Sequence, residues 1–378
     1  MGFTDEQTAI RDMTRDFVRK EIAPFVADWD RAARVPPELV RKLGALGLFG
    51  VSISTDWEGA GADFISYVLM TEELAYGDAG ICNMLSAANS FTMKLRDFGT
   101  PDQKRRFLRP VARGDMLGCM LLTEPQSGSD AAHLQTRAVR RGESYIINGT
   151  KCFITSGRSA GAAVVFAVTD PEAGKRGVSA FLVRPGQPGY CVLRDEHKLG
   201  HRTNETCQIR LENMEVPVED MLGEPGEGLR VAFSALESGR IGVAAQSIGV
   251  ARAALDAALA HARERVTFGK RLIEHQAIAF QLADMATEIE VARQMCLHAA
   301  SLKQDQVRCV KQASMAKLFA SQMCERVCSA AIQIHGGYGF INDYPVEKLY
   351  RDARVFQIYD GTNEVQKIVI SRELAAGH

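Results

Sequence analysis

Several features that would point to common functional classes are missing from this sequence of 378 residues. The formal net charge is only −1, and this balance argues against a nucleic-acid-binding protein. The nine cysteines are scattered and none lies in a C-x-x-C pair, as is usual for free thiols in a reducing cytosol. We expect no stretch long and apolar enough for membrane insertion, and no signal or transit segment at the start. These absences predict a cytoplasmic protein.

Sequence motifs for several enzyme classes are also absent. The chain has no H-E-x-x-H or comparable ligand spacing, so we predict no metal site. It has no G-x-S-x-G nucleophile elbow. The glycine-rich run at 336–339 follows a helical pattern instead of a strand, so it does not fit a dinucleotide-binding turn.

The hydrophobic pattern changes twice along the chain. Helical periodicity covers the first third, where Thr4 is expected to cap a helix that stops near Pro24, and Pro36–Pro37 to begin another. Short apolar runs between Gly and Pro turns then predict strands from about residue 117 to 216. Long alanine-rich helical patterns follow at 229–265, 275–302, 307–335 and 363–374.

These changes predict an α+β fold with three parts. An N-terminal helical domain is expected over 1–115 and a central β-barrel-like domain over 116–224. A C-terminal four-helix bundle is expected over 225–378, since long helices joined by short links form bundles.

Five sequence segments occur in a fixed order on this plan. They read LTEPQSGSD at 122–130, GTKCFITSG at 149–157, RVTFGK at 265–270, QIHGGYGF at 333–340, and YRDAR at 350–354 leading into IYDGTNEVQ at 358–366. With these segments the chain resembles the acyl-CoA dehydrogenase family over almost its whole length, and its tail most resembles the short-chain branch.

The resemblance implies FAD-dependent α,β-dehydrogenation of a short- or branched-chain acyl-CoA thioester. A carboxylate would take the α-proton, and the β-hydrogen would pass as hydride to flavin N5. Electrons would then go to an electron-transfer flavoprotein. The family's FAD contacts cross a subunit boundary, which implies a homotetramer built as a dimer of dimers.

The resemblance also implies which residues bind FAD. They are Met120, Leu121, Leu122, Thr123, Ser129, Phe153, Ile154, Thr155, Arg265, Thr267, Phe268, His275, Gln276, Gln333, Ile334, Gly336, Gly337, Thr362 and Glu364. An arginine fork suits a pyrophosphate, as expected for Arg265. Simpler interpretations stay open: a plain turn at 123–129, core strand residues at Phe153 and Thr155, and a structural histidine at His275.

Substrate contacts are implied at the CoA end of the site. Glu237 and Arg240 are three residues apart, so they share a helix face. The alternative for these two is an ion pair on the helix surface. Ser129, Gly361 and Arg372 are further candidates for substrate binding.

Asp360 departs from the family pattern, which has glutamate as the base before Gly-Thr. One branch has its base at the position of Gly239 instead, and glycine has no side chain. Asp360 is therefore the implied catalytic base, although it is shorter than glutamate by one methylene, about 1.5 Å. A misplacement of about 1 Å can cost on the order of 10²-fold in rate. An Asp-Gly turn without a catalytic role is the alternative.

Two other functional classes remain open. The first is a relative with altered chemistry, either nitroalkane-oxidase-like, since those enzymes have an aspartate at the matching place, or an acyl-carrier-protein-linked acyl dehydrogenase. The second is a flavin-binding protein that acts as an interaction module without dehydrogenase activity.

Overall fold

The computed structural model describes residues 2–377 and begins with a set of helices. Thr4 caps the first helix as expected: its hydroxyl accepts from Gln7 N, and the Gln7 side chain accepts from Thr4 N. The helices of this part are α1 (Asp5–Phe17), α2 (Val26–Ala32), α3 (Pro37–Ala45), α4 (Phe64–Gly77), α5 (Ala79–Phe98), α6 (Pro101–Gln103) and α7 (Arg109–Ala112). The π-helical turns Val18–Ile22 and Lys104–Leu108 extend α1 and α6.

The two longest helices of this part are almost wholly buried. Asp63 caps α4 and Asp78 caps α5, each accepting a main-chain N–H three residues on. The sequence did not predict α2, which has no side-chain cap at its start and ends at Ala33 with φ +52°. A short helix without a capping signal carries little local information.

The central part is one eight-stranded mixed sheet. Its strand order is β6-β7-β3-β2-β4-β5-β8, and β1 pairs in parallel with β4. The strands are β1 (Leu117–Leu121), β2 (Arg137–Arg141), β3 (Ser144–Thr155), β4 (Ala160–Val168), β5 (Val178–Val183), β6 (Tyr190–Asp195), β7 (Thr206–Pro217) and β8 (Met221–Leu222). The pairing of β3 with β7 shifts register between Lys151 and Ile154.

The last part is dominated by long helices. They are α8 (Gly228–Phe233), α9 (Leu236–Glu264), α10 (Gln276–Gln304), α11 (Val310–His335), α12 (Val346–Ala353) and α13 (Asn363–Ala375), with a small hairpin of β9 (Val266–Thr267) and β10 (Lys270–Arg271). The helix expected over 229–265 is broken between α8 and α9. Ser234 Oγ donates to Val231 O over 2.9 Å at the break, and such back-bonding competes with helical hydrogen bonds.

Helix α9 lies in the centre of this part, against α4, α10 and α11. Gly249 permits the approach to α4, because a Cβ there would lie 2.2 Å from Glu72 O. The expectation that no stretch is long and apolar enough to cross a membrane was wrong, because the helical stretch Gly228–Glu264 is long enough and apolar enough to do so. With 61% of its most apolar stretch buried, it is a core helix. The helix–β–helix plan predicted from the sequence is confirmed.

Candidate active site

Asp360 lies in the short loop between α12 and α13, in an unusual backbone conformation. Its φ is +51° and that of Gly361 is +83°. Aspartate tolerates the left-handed region better than most residues, and glycine enters it freely. Gln366 Nε2 donates to the carbonyls of Asp360 and Gly361 over 3.3 and 2.9 Å, and Lys317 Nζ donates to Gly361 O over 3.0 Å. The loop is thus held from two helices.

The carboxylate of Asp360 faces helix α9 at a glycine. A Cβ built on Gly239 would lie 3.7 Å from Asp360 Cγ, an ordinary van der Waals contact. The two positions that the family resemblance links to the base therefore meet in space. Only one of them carries a carboxylate here.

Three cations influence this carboxylate. Burial raises the pKa of Asp360, while Lys317, Lys94 and Arg240 oppose the rise. Burial also lowers the pKa of Lys94 and of Lys317 to about 8. Asp360 is nevertheless exposed to water, although protein surrounds its carboxylate on most sides. A ligand that covers this residue would remove that water and strengthen the effect of burial.

A chain of hydrogen-bonded polar side chains, of which Gln246 is buried and Tyr359 and Ser86 are half-buried, lies beside the loop. Tyr359 Oη donates to Gln246 Oε1 over 2.7 Å, and Gln246 Nε2 donates to Ser86 Oγ over 3.0 Å. The sequence predictions missed these residues, as well as Lys94 and Lys317. Helix α5 did carry a signal, since Ser86, Ser90 and Lys94 repeat every four residues on a largely apolar helix.

The segment after β1 is held by the buried ion pair of Lys151 with Glu124. Lys151 Nζ donates to Glu124 Oε1 over 2.8 Å and to the carbonyls of Leu122 and Phe166 over 3.1 and 2.7 Å. The structure half-buries Met120, Leu122 and Thr123, buries Leu121 in the core, and leaves Ser129 exposed. A ligand could therefore contact this segment through its main chain and through the half-buried side chains of Met120, Leu122 and Thr123.

Phe153 lies on the register shift of β3, and 67% of its side chain is exposed. Its φ is +59°, an outlier for a bulky residue. Such outliers cost about 1–3 kcal/mol and cluster at ligand sites. Its neighbour Ile154 is buried in the core, and Thr155 Oγ1 accepts from Asn83 Nδ2 over 3.4 Å. An exposed ring in this conformation fits a planar cofactor better than it fits a core strand.

A second set of predicted FAD residues gathers on the C-terminal helices. One surface pocket is lined by Arg265, Thr267, Ile334, Gly336 and Gly337 together with other residues. Gln333 lines a neighbouring pocket, Gln276 is exposed, and Phe268 is 98% exposed. His275 Nε2 contacts Thr267 O at 3.2 Å, so it has a structural partner.

This pocket suits an anionic group. Gly336 has φ +61° and ψ −136°, a conformation open essentially to glycine alone. The Arg265 guanidinium stacks over Tyr338 at 5.6 Å and is exposed. An arginine fork beside bare backbone can bind phosphate oxygens. The Arg265 guanidinium and the backbone at Gly336 therefore fit the pyrophosphate of a dinucleotide such as FAD.

The residues predicted to bind the CoA end of the substrate have different environments. Glu237 pairs with Lys303 at 2.8 Å, so the alternative of a Glu237–Arg240 surface ion pair was wrong. Arg240 is 6% exposed, donates to Ser314 Oγ over 3.2 Å, and has a buried Nε without a partner in residues 2–377. Arg372 is exposed in the last turn of α13.

The start of α13 is the last predicted part of the site. Thr362 caps the helix by accepting from Val365 N over 3.3 Å, and Glu364 is exposed in the first turn. Among residues 2–377, no group of three or more acidic, histidine or cysteine side chains could hold a metal ion.

The helix–β–helix plan, the carboxylate that faces Gly239 and the surface pocket that suits an anion agree with the oxidoreductase of acyl thioesters that the sequence motifs imply. The chain belongs to the acyl-CoA dehydrogenase family. Its residues 4–115, 119–214 and 226–375 match the N-terminal, middle and C-terminal domains of acyl-CoA dehydrogenase, respectively.

Relatives extend over the whole chain. An acyl-CoA dehydrogenase of Bacillus subtilis is 44% identical over 378 residues, covering 100% of both chains. Subunit CarC of the caffeyl-CoA reductase-Etf complex of Acetobacterium woodii is 43% identical over 373 residues, covering 98% of each. The structure of butyryl-CoA dehydrogenase from Megasphaera elsdenii superimposes with a TM-score of 0.97 at 41% identity, covering 99% of each. The protein is an acyl-CoA dehydrogenase close to the short-chain enzymes.

Proposed function

We propose that this protein dehydrogenates a short- or branched-chain acyl-CoA thioester, with Asp360 as the base that removes the α-proton. The observation that carries the proposal is that the Asp360 carboxylate faces the bare Gly239 position on α9. Burial raises the pKa of this carboxyl, which makes its carboxylate a stronger base than that of a free aspartate. The other base position known in the family has no side chain to compete.

The main chain of the same residue supplies a second function. Asp360 N–H makes no hydrogen bond within residues 2–377, and its carbonyl accepts from Gln366. We assign this N–H to the thioester carbonyl, where a donor makes the α-proton more acidic. Donor and base then belong to one residue in a loop held by Lys317 and Gln366.

FAD would be held by Phe153, Thr155 and the 120–123 main chain at one end, and by a pocket with Arg265 and Gly336 at the other. When bound, FAD accepts the β-hydrogen together with its electron pair. The residues of the first group do not line the surface pocket that contains Arg265 and Gly336. This separation supports a site that a neighbouring subunit completes.

The assembly that we propose is a cytoplasmic homotetramer that passes electrons to an electron-transfer flavoprotein. Two aromatic side chains near the surface pocket, Phe268 and Phe340, are 98% and 86% exposed. Rings this exposed are unusual on a free surface and suit burial by a partner subunit. Light scattering on the purified protein checks the state, and a monomer at micromolar concentration would contradict it.

The shorter base has a rate consequence. Aspartate accepts φ +51° readily, but its carboxylate reaches about 1.5 Å less far than that of glutamate. We therefore expect Asp360→Glu to keep or raise the rate on straight-chain thioesters. A collapse of the rate in that variant would show that the site is fitted to aspartate.

The test is anaerobic bleaching of the bound flavin by a panel of acyl-CoA thioesters. Asp360→Asn should bind FAD normally and lose bleaching, because an amide cannot accept the proton. Asp28→Asn makes the same chemical change at an exposed site and should bleach normally.

Two results would redirect the proposal. Unchanged bleaching in Asp360→Asn would remove Asp360 from the mechanism, and a protein that never binds FAD would remove the flavin. Rapid turnover of nitroalkanes with oxygen, or of carrier-protein thioesters only, would instead favour altered chemistry.

A further inference from the structure

One buried lysine near the site lacks the partners that the others have. Four lysines are buried among residues 2–377. Lys151 Nζ donates to three acceptors, one of them a carboxylate, and Lys348 lies between two carboxylates at 2.7 and 2.6 Å. Lys317 donates to Gly361 O and Asn363 Oδ1, both at 3.0 Å. Each of these three charges has at least two acceptors.

Lys94 is the exception. It is 1% exposed, and its one hydrogen bond within residues 2–377 goes to Ser90 Oγ over 3.0 Å. An ammonium carries three donors, so two remain unused. A buried donor without an acceptor costs about 1–3 kcal/mol, and more for a charged group. An evolved fold rarely keeps such a charge unless something else binds it.

The position of Lys94 shows where its missing acceptor would come from. Ser90, one turn before it on α5, is half-buried and faces Met120 at the end of β1, with Oγ 3.7 Å from Sγ. A thioether is a weak acceptor, so the hydroxyl is also poorly paired. One turn earlier, half-buried Ser86 accepts from Gln246, which in turn accepts from Tyr359 beside Asp360. The stripe of Ser86, Ser90 and Lys94 thus leads along α5 from the surroundings of Asp360 and ends in a cation.

Asp360 is not the missing partner. Its charge and that of Lys94 influence each other, but no hydrogen bond or ion pair joins them among the described residues. Lys317 and Arg240 already lie near the same carboxylate. A second anion that reaches Lys94 along this stripe would satisfy it while leaving Asp360 free to act as the base.

We propose that Lys94, with Ser90, binds a carboxylate at the far end of the acyl chain, so that the preferred substrates are CoA monothioesters of dicarboxylic acids. The inference rests on the proposed function and specifies its substrate class. The carboxylate itself takes no part in the bond changes: the α-proton goes to Asp360 and the β-hydrogen leaves as hydride. Lys94 is a specificity determinant here.

The experiment compares matched thioesters with the FAD-loaded enzyme. Butyryl-, valeryl- and hexanoyl-CoA are paired with succinyl-, glutaryl- and adipyl-CoA, and the rate of anaerobic flavin bleaching is measured as a function of concentration. We expect at least one carboxylate-ended thioester to exceed its methyl-ended partner. Lys94→Met should lower that ratio by about 10- to 100-fold, the range for hydrogen bonds to charged groups.

Two controls separate recognition from folding. Lys20→Met removes an exposed lysine and should leave the ratio unchanged. Lys94→Met should melt no lower than the parent protein, because methionine fills the space without burying an underpaired charge. A much lower melting temperature would show a structural role for Lys94 and overturn the inference.

The two proposals fail differently. Bleaching by methyl-ended thioesters with the same ratio in parent and Lys94→Met would refute the role of Lys94 and leave the dehydrogenase proposal intact. A flavin-loaded enzyme that no thioester bleaches would overturn both.

Discussion

Placing a carboxylate at Gly239 tests the geometry around Asp360. A Cβ fits at this position, and it would lie 3.7 Å from Asp360 Cγ and 3.7 Å from Oδ2. In Gly239→Asp the new Cγ lies one C–C bond, about 1.5 Å, beyond this Cβ, so the two carboxylates would be at most about 5 Å apart. With an effective dielectric constant of about 20, their repulsion is about 3 kcal/mol, or about 2 pKa units on Asp360.

The sign of the effect follows from the role of the base. Asp360 must be ionised to accept the α-proton, so activity rises as the pH passes upward through its pKa. That pKa is already above the ordinary value because of burial. Gly239→Asp should raise it further, moving the acidic limb of the bleaching rate to higher pH and slowing the reaction at neutral pH.

The assay is stopped-flow bleaching between about pH 5 and 9, with Gly239→Ser as the neutral control. Both variants replace a glycine inside α9 by a residue with a somewhat higher helix propensity, a gain of a few tenths of a kcal/mol (about 0.3–0.5), so the fold should hold. The double variant Asp360→Asn/Gly239→Asp checks whether the new carboxylate acts as a base itself. Identical acidic limbs in Gly239→Asp and Gly239→Ser would refute the reasoning.

Three further predictions concern the supports of the site. Lys317→Met removes two hydrogen bonds from a charged donor, although Gly361 O keeps Gln366 and Asn363 Oδ1 keeps Ser321 as donors. We expect a loss of about 1–3 kcal/mol in unfolding free energy, and a shift of the acidic limb of the bleaching rate to higher pH because Lys317 holds down the pKa of Asp360. An unchanged melting temperature and an unchanged acidic limb would contradict this. Gly361→Ala adds a Cβ 2.9 Å from Gln366 Nε2 at φ +83°; bleaching should slow about 10-fold with FAD retained, and normal bleaching would count against the loop's role. Lys151→Met strands the Glu124 carboxylate in the core; urea unfolding should show a loss of about 3–5 kcal/mol, far more than for Lys20→Met, and equal losses would refute the buried-pair argument.

The start of α13 is encoded locally, because Thr362 stands directly before it and a Thr cap before a helix is readable from sequence. Asp360 and Gly361 were picked out as site residues only through the resemblance to the family. The conformations of Phe153 and Asp360 were not readable, since a left-handed φ at a non-glycine residue depends on tertiary contacts that hold it. Arg240 shows the same limit of sequence patterns: its spacing from Glu237 left an ion pair between the two open as an alternative, but packing places Glu237 against Lys303.

The order of helices, strands and helices follows from local patterns, and the five segments and the aspartate at the family's glutamate position can be read directly from the sequence. Periodicity and capping act over a few residues, so they can be recognised without knowledge of the fold. Packing alone brings Gly239 against Asp360 and buries Lys94 with one hydrogen bond among residues 2–377. These facts depend on how α5, α9, α11 and the tail loop pack together. A helical pattern tells which face of a helix is polar, but packing decides what that face meets.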